Sequence, residues 1–184
     1  MSVNNVLQLK ISGVNESSRN LALNEALDLL TKKLPPAVKQ LVLNTKVVIG
    51  EGLIESGGFT NAENKQITLD AGKNALSLQE AENLLIEAGY LRPGDWTKAL
   101  PLSKDQKWSC LTYQFVHEFG HLIDGLSDGE AYNRLSVQAS PTKYGITSAS
   151  ESFAEAFAYW IFDLDILSEA KLSVFKVLFD KQHI

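Results

Sequence analysis

The run His117-Glu118-Phe119-Gly120-His121 holds two of the three histidines of this 184-residue chain. On a helix, residues four apart share a face. Both imidazoles can then reach one ion at about 2.0 to 2.1 Å. Glu118 projects to the side where a bound water would sit. This is the H-E-x-x-H spacing with which zinc peptidases combine two ligands and a general base. Leu111, Phe115, Val116, Phe119 and Leu122 surround the motif, which predicts a buried helix. Two histidines and a glutamate on such a helix require partners, because unpaired buried polar groups are costly.

A catalytic zinc ion takes three protein ligands and keeps a fourth position open. One cysteine, Cys110, excludes a multi-thiolate site and an internal disulfide framework. The extended motif H-E-x-x-H-x-x-G-x-x-H would need glycine at 124 and histidine at 127, where the chain has Asp124 and Ser127. His183 lies almost at the C-terminus, a poor place for a ligand. The third ligand is therefore expected to be a carboxylate, with Asp124, Asp128, Glu130, Glu151 and Glu155 as candidates. Glu151 and Glu155 stand four apart on an otherwise apolar stretch, Ser152 to Trp160. Two carboxylates on one face of a buried helix call for cations or a metal. A helix bringing such a ligand beside the histidine helix is a gluzincin arrangement, with Glu151 on the ion. Glu155, one turn on, would accept the N–H of a ligand histidine.

The elements that must position these groups can be read from periodicity. Leu7 to Ser12 alternates apolar and polar, which predicts a half-buried strand. Ser17 or Ser18 caps a helix to about Leu34, and Pro36 opens a short helix through Leu43. Lys46 to Gly50 is a β-branched strand, Gly57, Gly58 and Asn61 mark a turn, and Lys65 to Asp70 alternates again. Ser77 with Glu80 forms a capping box for a helix ending near Gly89. Ser103 is read as the cap of a helix from Lys104 to about Asp124, closed by Gly125. Residues 126 to 148 look irregular. Ser148 caps a helix from Ala149 to about Phe162, and a last helix spans Ile166 to Lys181. The expectation is an α+β fold, a single domain over 1–184. A mixed part (1–100) with a small sheet would carry the substrate-side strand, and a helical part (101–184) would carry the zinc site.

The segment Tyr144-Gly145-Ile146-Thr147-Ser148-Ala149-Ser150-Glu151-Ser152-Phe153-Ala154-Glu155-Ala156-Phe157 resembles the block that follows the zinc motif in the anthrax lethal factor family. The Pro-Pro endopeptidases of clostridia share that block. In the family a tyrosine precedes the ligand glutamate by seven residues and a further glutamate follows it by four, as 144, 151 and 155 do here. His117-Glu118-Phe119-Gly120-His121 followed by Asp124 is also similar to the lethal factor catalytic domain. The likeness covers residues 113–160. It implies a zincin-like fold and a zinc-dependent endopeptidase, toxin-related by kinship, holding one zinc ion. His117, His121 and Glu151 would be the ligands and Glu118 the general base. Tyr144 would supply a hydroxyl to the oxyanion or the leaving group, and Glu155 would support the ligands. The chain departs from the family in the loop before Tyr144. Only 22 residues separate it from His121, so cleavage-site preference does not carry over.

A peptide must lie extended across such a site, and an edge strand can hold it by β-augmentation. Lys65 to Asp70, with Ile67, Thr68 and Leu69, is the expected edge, an ordinary hairpin strand being the alternative. Asp124 would either orient His121 or simply end its helix. Cys110 is read as a small buried side chain, and Trp96, Trp108 and Trp160 as packing. A zinc-binding effector or interaction module without turnover is the competing reading, but it would have no need of Glu118 and Tyr144.

Seventeen Lys+Arg against 22 Asp+Glu give a net charge of −5. The lysines are scattered, so no basic stripe points to nucleic acid. No signal peptide or membrane-spanning run is visible. A peptide or protein substrate, a monomer, and either a secreted form with its signal trimmed or a cytoplasmic one are the expectations.

Overall fold

A computed structural model describes residues 10–11, 17–127, 140–164 and 169–180. The architecture is α+β. In chain order the elements are β1 (Lys10–Ile11), α1 (Ser17–Lys33), α2 (Pro36–Asn44), β2 (Lys46–Gly50), β3 (Gly58–Asn61) and β4 (Gln66–Asp70). Helices α3 (Ala71–Asn74), α4 (Leu78–Glu87) and α5 (Ser109–Leu126) follow, then a 3-10 turn (Tyr144–Ile146), α6 (Ala149–Ile161) and α7 (Glu169–Asp180).

The sheet runs in the order β1-β2-β4-β3. β1, β2 and β4 are parallel, and β3 is antiparallel to β4. Alternation sends Val47, Ile49, Ile67 and Leu69 into the core, all fully buried. The expected edge is therefore corrected. β4 lies between β2 and β3, with pairs such as Val48↔Thr68 on one side and Phe59↔Thr68 on the other. Ile67, Thr68 and Leu69 have their backbone committed to both neighbours, and two of their side chains to the core. They cannot bind a peptide by strand addition. The stretch read as a turn at Gly58 to Asn61 is itself the edge strand β3 among the described residues.

Side-chain caps mark three of the helix starts. Ser77 accepts from the Glu80 N–H while Glu80 reaches back to the Ser77 N–H at 2.8 Å, completing the capping box. Asp70 caps α3 by accepting from the Lys73 N–H. Ser148 caps α6 by accepting from the Glu151 N–H at 3.1 Å. The start of α5 differs from expectation. Lys104 O accepts from the Gln79 N–H and Ala75 O from the Trp108 N–H, so this stretch is tied to α3 and α4. Trp108 then takes φ 74°, a left-handed geometry that cannot continue a helix, and α5 begins at Ser109. Its end lies past Gly125, at Leu126.

Helix α5 is the central element. It packs against α1, α6, β3 and β4, and Leu111, Val116, Phe119, Leu122 and Ile123 are fully buried along it. Phe157 of α6 meets it at Phe119, ring centroids 6.2 Å apart, and Phe153 and Ala156 of α6 are fully buried. Each Phe buried here contributes about 1.5–3 kcal/mol. Trp96 and Trp108 are buried, and Trp160 stacks on Phe175 and Phe179. Cys110 is buried too, and burial pushes its thiol up to about 12, so it stays protonated. Asp128, Glu130 and His183 lie outside the described residues, as do Leu7 to Leu9 and Ser12 of the first expected strand.

Candidate metal centre

Small residues let α5 and α6 approach closely. A Cβ on Gly120 would lie 3.0 Å from Ala154 Cα and 3.2 Å from Phe157 Cδ1. This contact brings the first turn of α6 beside the motif. His117 Nε2 and His121 Nε2 lie 3.1 Å and 3.3 Å from the same atom, Glu151 Oε2. The ligating atoms of His117, His121 and Glu151 all fall within 4.8 Å of one another, and this group could hold a metal ion.

Each histidine is also held from behind. His117 Nδ1 lies 2.9 Å from Glu155 Oε1, a charge contact off the axis of an aligned hydrogen bond. Glu155 is only 1% exposed. It accepts from the Tyr113 hydroxyl at 2.6 Å and from Thr142 Oγ1. His121 Nδ1 meets Ser150 Oγ at 3.0 Å, and the Ser150 hydroxyl reaches Asp124 Oδ2 at 3.3 Å. Asp124 thus acts on His121 through Ser150. Acceptors behind both rings favour a proton on Nδ1 and leave Nε2 as the atom that could face an ion.

The electrostatics suit a cation. Burial by itself would discharge the His117 imidazolium, but Glu151 and Glu155, with the charge of Glu118, push its pKa up to about 10. Burial by itself would raise the Glu151 carboxyl, but hydrogen bonds from His117 and His121 hold it well below the usual carboxylate range. A divalent ion can take the place of the extra proton that these carboxylates retain. Two imidazole nitrogens and one carboxylate oxygen match a catalytic zinc donor set. They face a cleft of about 810 Å³.

No protein-family model, curated protein or solved structure matches this chain.

Glu118 is buried at the cleft, between α5 and β3. Its Oε2 accepts from Thr60 Oγ1 at 2.7 Å and its Oε1 from Gln114 Nε2 at 3.0 Å. A Cβ on Gly58 would come within 2.6 Å of Glu118 Cδ, so glycine there makes room for the carboxylate. Tyr144, half-buried on the 3-10 turn, sits with its ring centroid 6.0 Å from that of His117 and edge-on to Tyr90 at 5.7 Å. Burial, then the charges of Glu151, Glu155 and Glu118, push its phenol above the ordinary range and keep it a neutral donor.

The structure thus brings His117, Glu118, His121, Tyr144 and Glu151 to one cleft, with Asp124 and Glu155 also lining it. Sequence reading missed Gly58, Thr60, Tyr113, Gln114, Thr142 and Ser150. Two of these carried a signal: Gln114 and Tyr113 stand four residues before Glu118 and His117 on the same helix.

Proposed function

We infer that this protein is a zinc-dependent endopeptidase of gluzincin type, with a zincin-like fold. The observation that carries this reading is the position of Glu118 beside the His117, His121 and Glu151 group, under the edge strand β3. The resemblance of residues 113–160 to the lethal factor and Pro-Pro endopeptidase family supports the same roles for Tyr144 and Glu151.

Bound zinc would supply a Lewis acid that polarises the scissile carbonyl and lowers the pKa of water toward about 7. Glu118 then takes the proton of the attacking water and hands it to the leaving amine, so base and acid are one carboxylate. Thr60 and Gln114 hold its two oxygens in place for both transfers. Tyr144 donates a hydrogen bond to the developing oxyanion, and loss of one such donor typically costs about 10²–10³ in kcat. An extended peptide lies along β3 as an added strand.

Two measurements test this. Zinc content by elemental analysis should be one ion per chain in wild type and in Glu118→Gln. A peptide-library cleavage profile should be positive for wild type and lost in Glu118→Gln. Identical profiles would remove the peptidase reading, and a chain without zinc affinity would remove the metal reading.

A further inference from the structure

Glu155 faces two parts of the site at once. Its Oε1 lies 2.9 Å from His117 Nδ1 and accepts from the Tyr113 hydroxyl at 2.6 Å. Its Oε2 accepts from Thr142 Oγ1, whose oxygen in turn accepts from the Gly145 N–H at 3.2 Å. Gly145 belongs to the 3-10 turn that presents Tyr144, and a Cβ there would lie 3.1 Å from Glu155 Cγ. Tyr113, Thr142 and Glu155 are all at most 2% exposed. A carboxylate so buried keeps its place only through its donors.

We propose that Glu155 is a positioning residue that ties the histidine helix to the turn carrying Tyr144, with Tyr113 serving the histidine arm and Thr142 the tyrosine arm. This rests on the reading of His117 as a ligand and Tyr144 as the oxyanion donor. The two oxygens divide the work. Tyr113 orients the oxygen that faces the imidazole, and so fixes the ring that offers Nε2 to an ion. Thr142 passes the constraint of the other oxygen into the backbone at Gly145, and so fixes where the Tyr144 hydroxyl stands.

The experiment is a double dissociation on the full chain. Zinc affinity is read by competition with a chromophoric chelator, zinc alone being the probe. Backbone order at 143–147 is read by hydrogen exchange with mass spectrometry. Tyr113→Phe should weaken zinc binding by about tenfold or more, the usual cost of losing support behind a ligand, with exchange at 143–147 unchanged. Thr142→Val should speed exchange at 143–147 by about tenfold, a local opening made easier, with zinc affinity within about threefold of wild type. Thr142→Ser, which keeps the hydroxyl, should restore wild-type exchange. Glu155→Gln should move both readouts. If that variant does not fold, the two isosteric variants decide. The proposal is overturned if both single variants shift the same readout, if either leaves its own readout at the wild-type value, or if a folded Glu155→Gln leaves either readout unmoved. Neither readout uses turnover. A wild type that cleaves no library peptide would remove the peptidase reading alone.

Discussion

Thr60 Oγ1 donates to Glu118 Oε2 at 2.7 Å, which joins the edge strand to the carboxylate that would act as base. The same hydroxyl lies 2.9 Å from the Glu118 backbone carbonyl. With Gln114 on the other oxygen, the carboxylate is pinned from strand and helix together. Holding a reacting group in one orientation removes an entropy cost from the chemical step.

Gly58→Ala tests that arrangement. The new Cβ would fall within 2.6 Å of Glu118 Cδ and Cγ, so either the carboxylate or β3 must move. Cleavage of the best library peptide should fall by about tenfold or more, since displacements of about 1 Å can cost 10²-fold. Zinc content should stay at one ion per chain. Wild-type turnover would mean that β3 does not set the place of Glu118.

Glu151→Ala removes the oxygen that both Nε2 atoms approach. Zinc affinity should drop by about a hundredfold or more, measured by chelator competition, because two imidazoles alone make a poor site. Full zinc occupancy in this variant would reassign the third ligand.

Gly120→Ala addresses the crossing of α5 and α6. A methyl 3.0 Å from Ala154 Cα pushes the helices apart, and overpacking of this kind costs about 1–3 kcal/mol. The urea midpoint should fall, and zinc affinity should fall with it, because the crossing carries Glu151 to the histidines. Unchanged stability would show that the contact yields without cost.

The metal-free protein should have a pH-dependent stability of defined sign. The folded-state pKa of His117 is raised from 6.5 to about 10, so its contribution is full below pH 6.5 and lost as the pH climbs toward about 10. Glu151 is held below its ordinary 4.5, so its contribution is present above that value and lost as the pH falls. Thermal melts in chelator should therefore give a Tm that declines between about pH 7 and 10. Added zinc should abolish that decline by taking the proton's place. A flat profile in chelator would contradict the charge balance around His117.

Much of the local structure is legible in the chain. The β-branched run predicts β2 at Lys46–Gly50, and the capping box at Ser77 and Glu80 marks the start of α4. Ser148 marks α6 at Ala149. Each of these depends on neighbours within four residues. The start of α5 was not legible, because it depends on hydrogen bonds from residues 104–108 to α3 and α4. Nor was the rank of the strands. β4 alternates like an edge strand with one dry face, yet β3, which read as a turn, closes the sheet over it. No helix among the described residues is long and apolar enough to cross a membrane, in line with the charges along the chain.

By itself the sequence determined which residues can do chemistry here. The helical period puts His117 and His121 on one face, and the scarcity of histidine and cysteine demands a carboxylate. The sequence also singles out Glu151; only the tertiary structure decided that its Oε2 meets both imidazoles and which strand lies over Glu118. It also decided that Tyr113, through Glu155, and Ser150 stand behind the histidines, and that Thr142 joins Glu155 to the turn of Tyr144. Those facts come from the Gly120–Ala154 contact and the β4–β3 pairing. The first joins residues 34 apart in the chain, and the second is a local hairpin whose place over α5 is set by tertiary contacts; side-chain packing, which local periodicity does not encode, selects both.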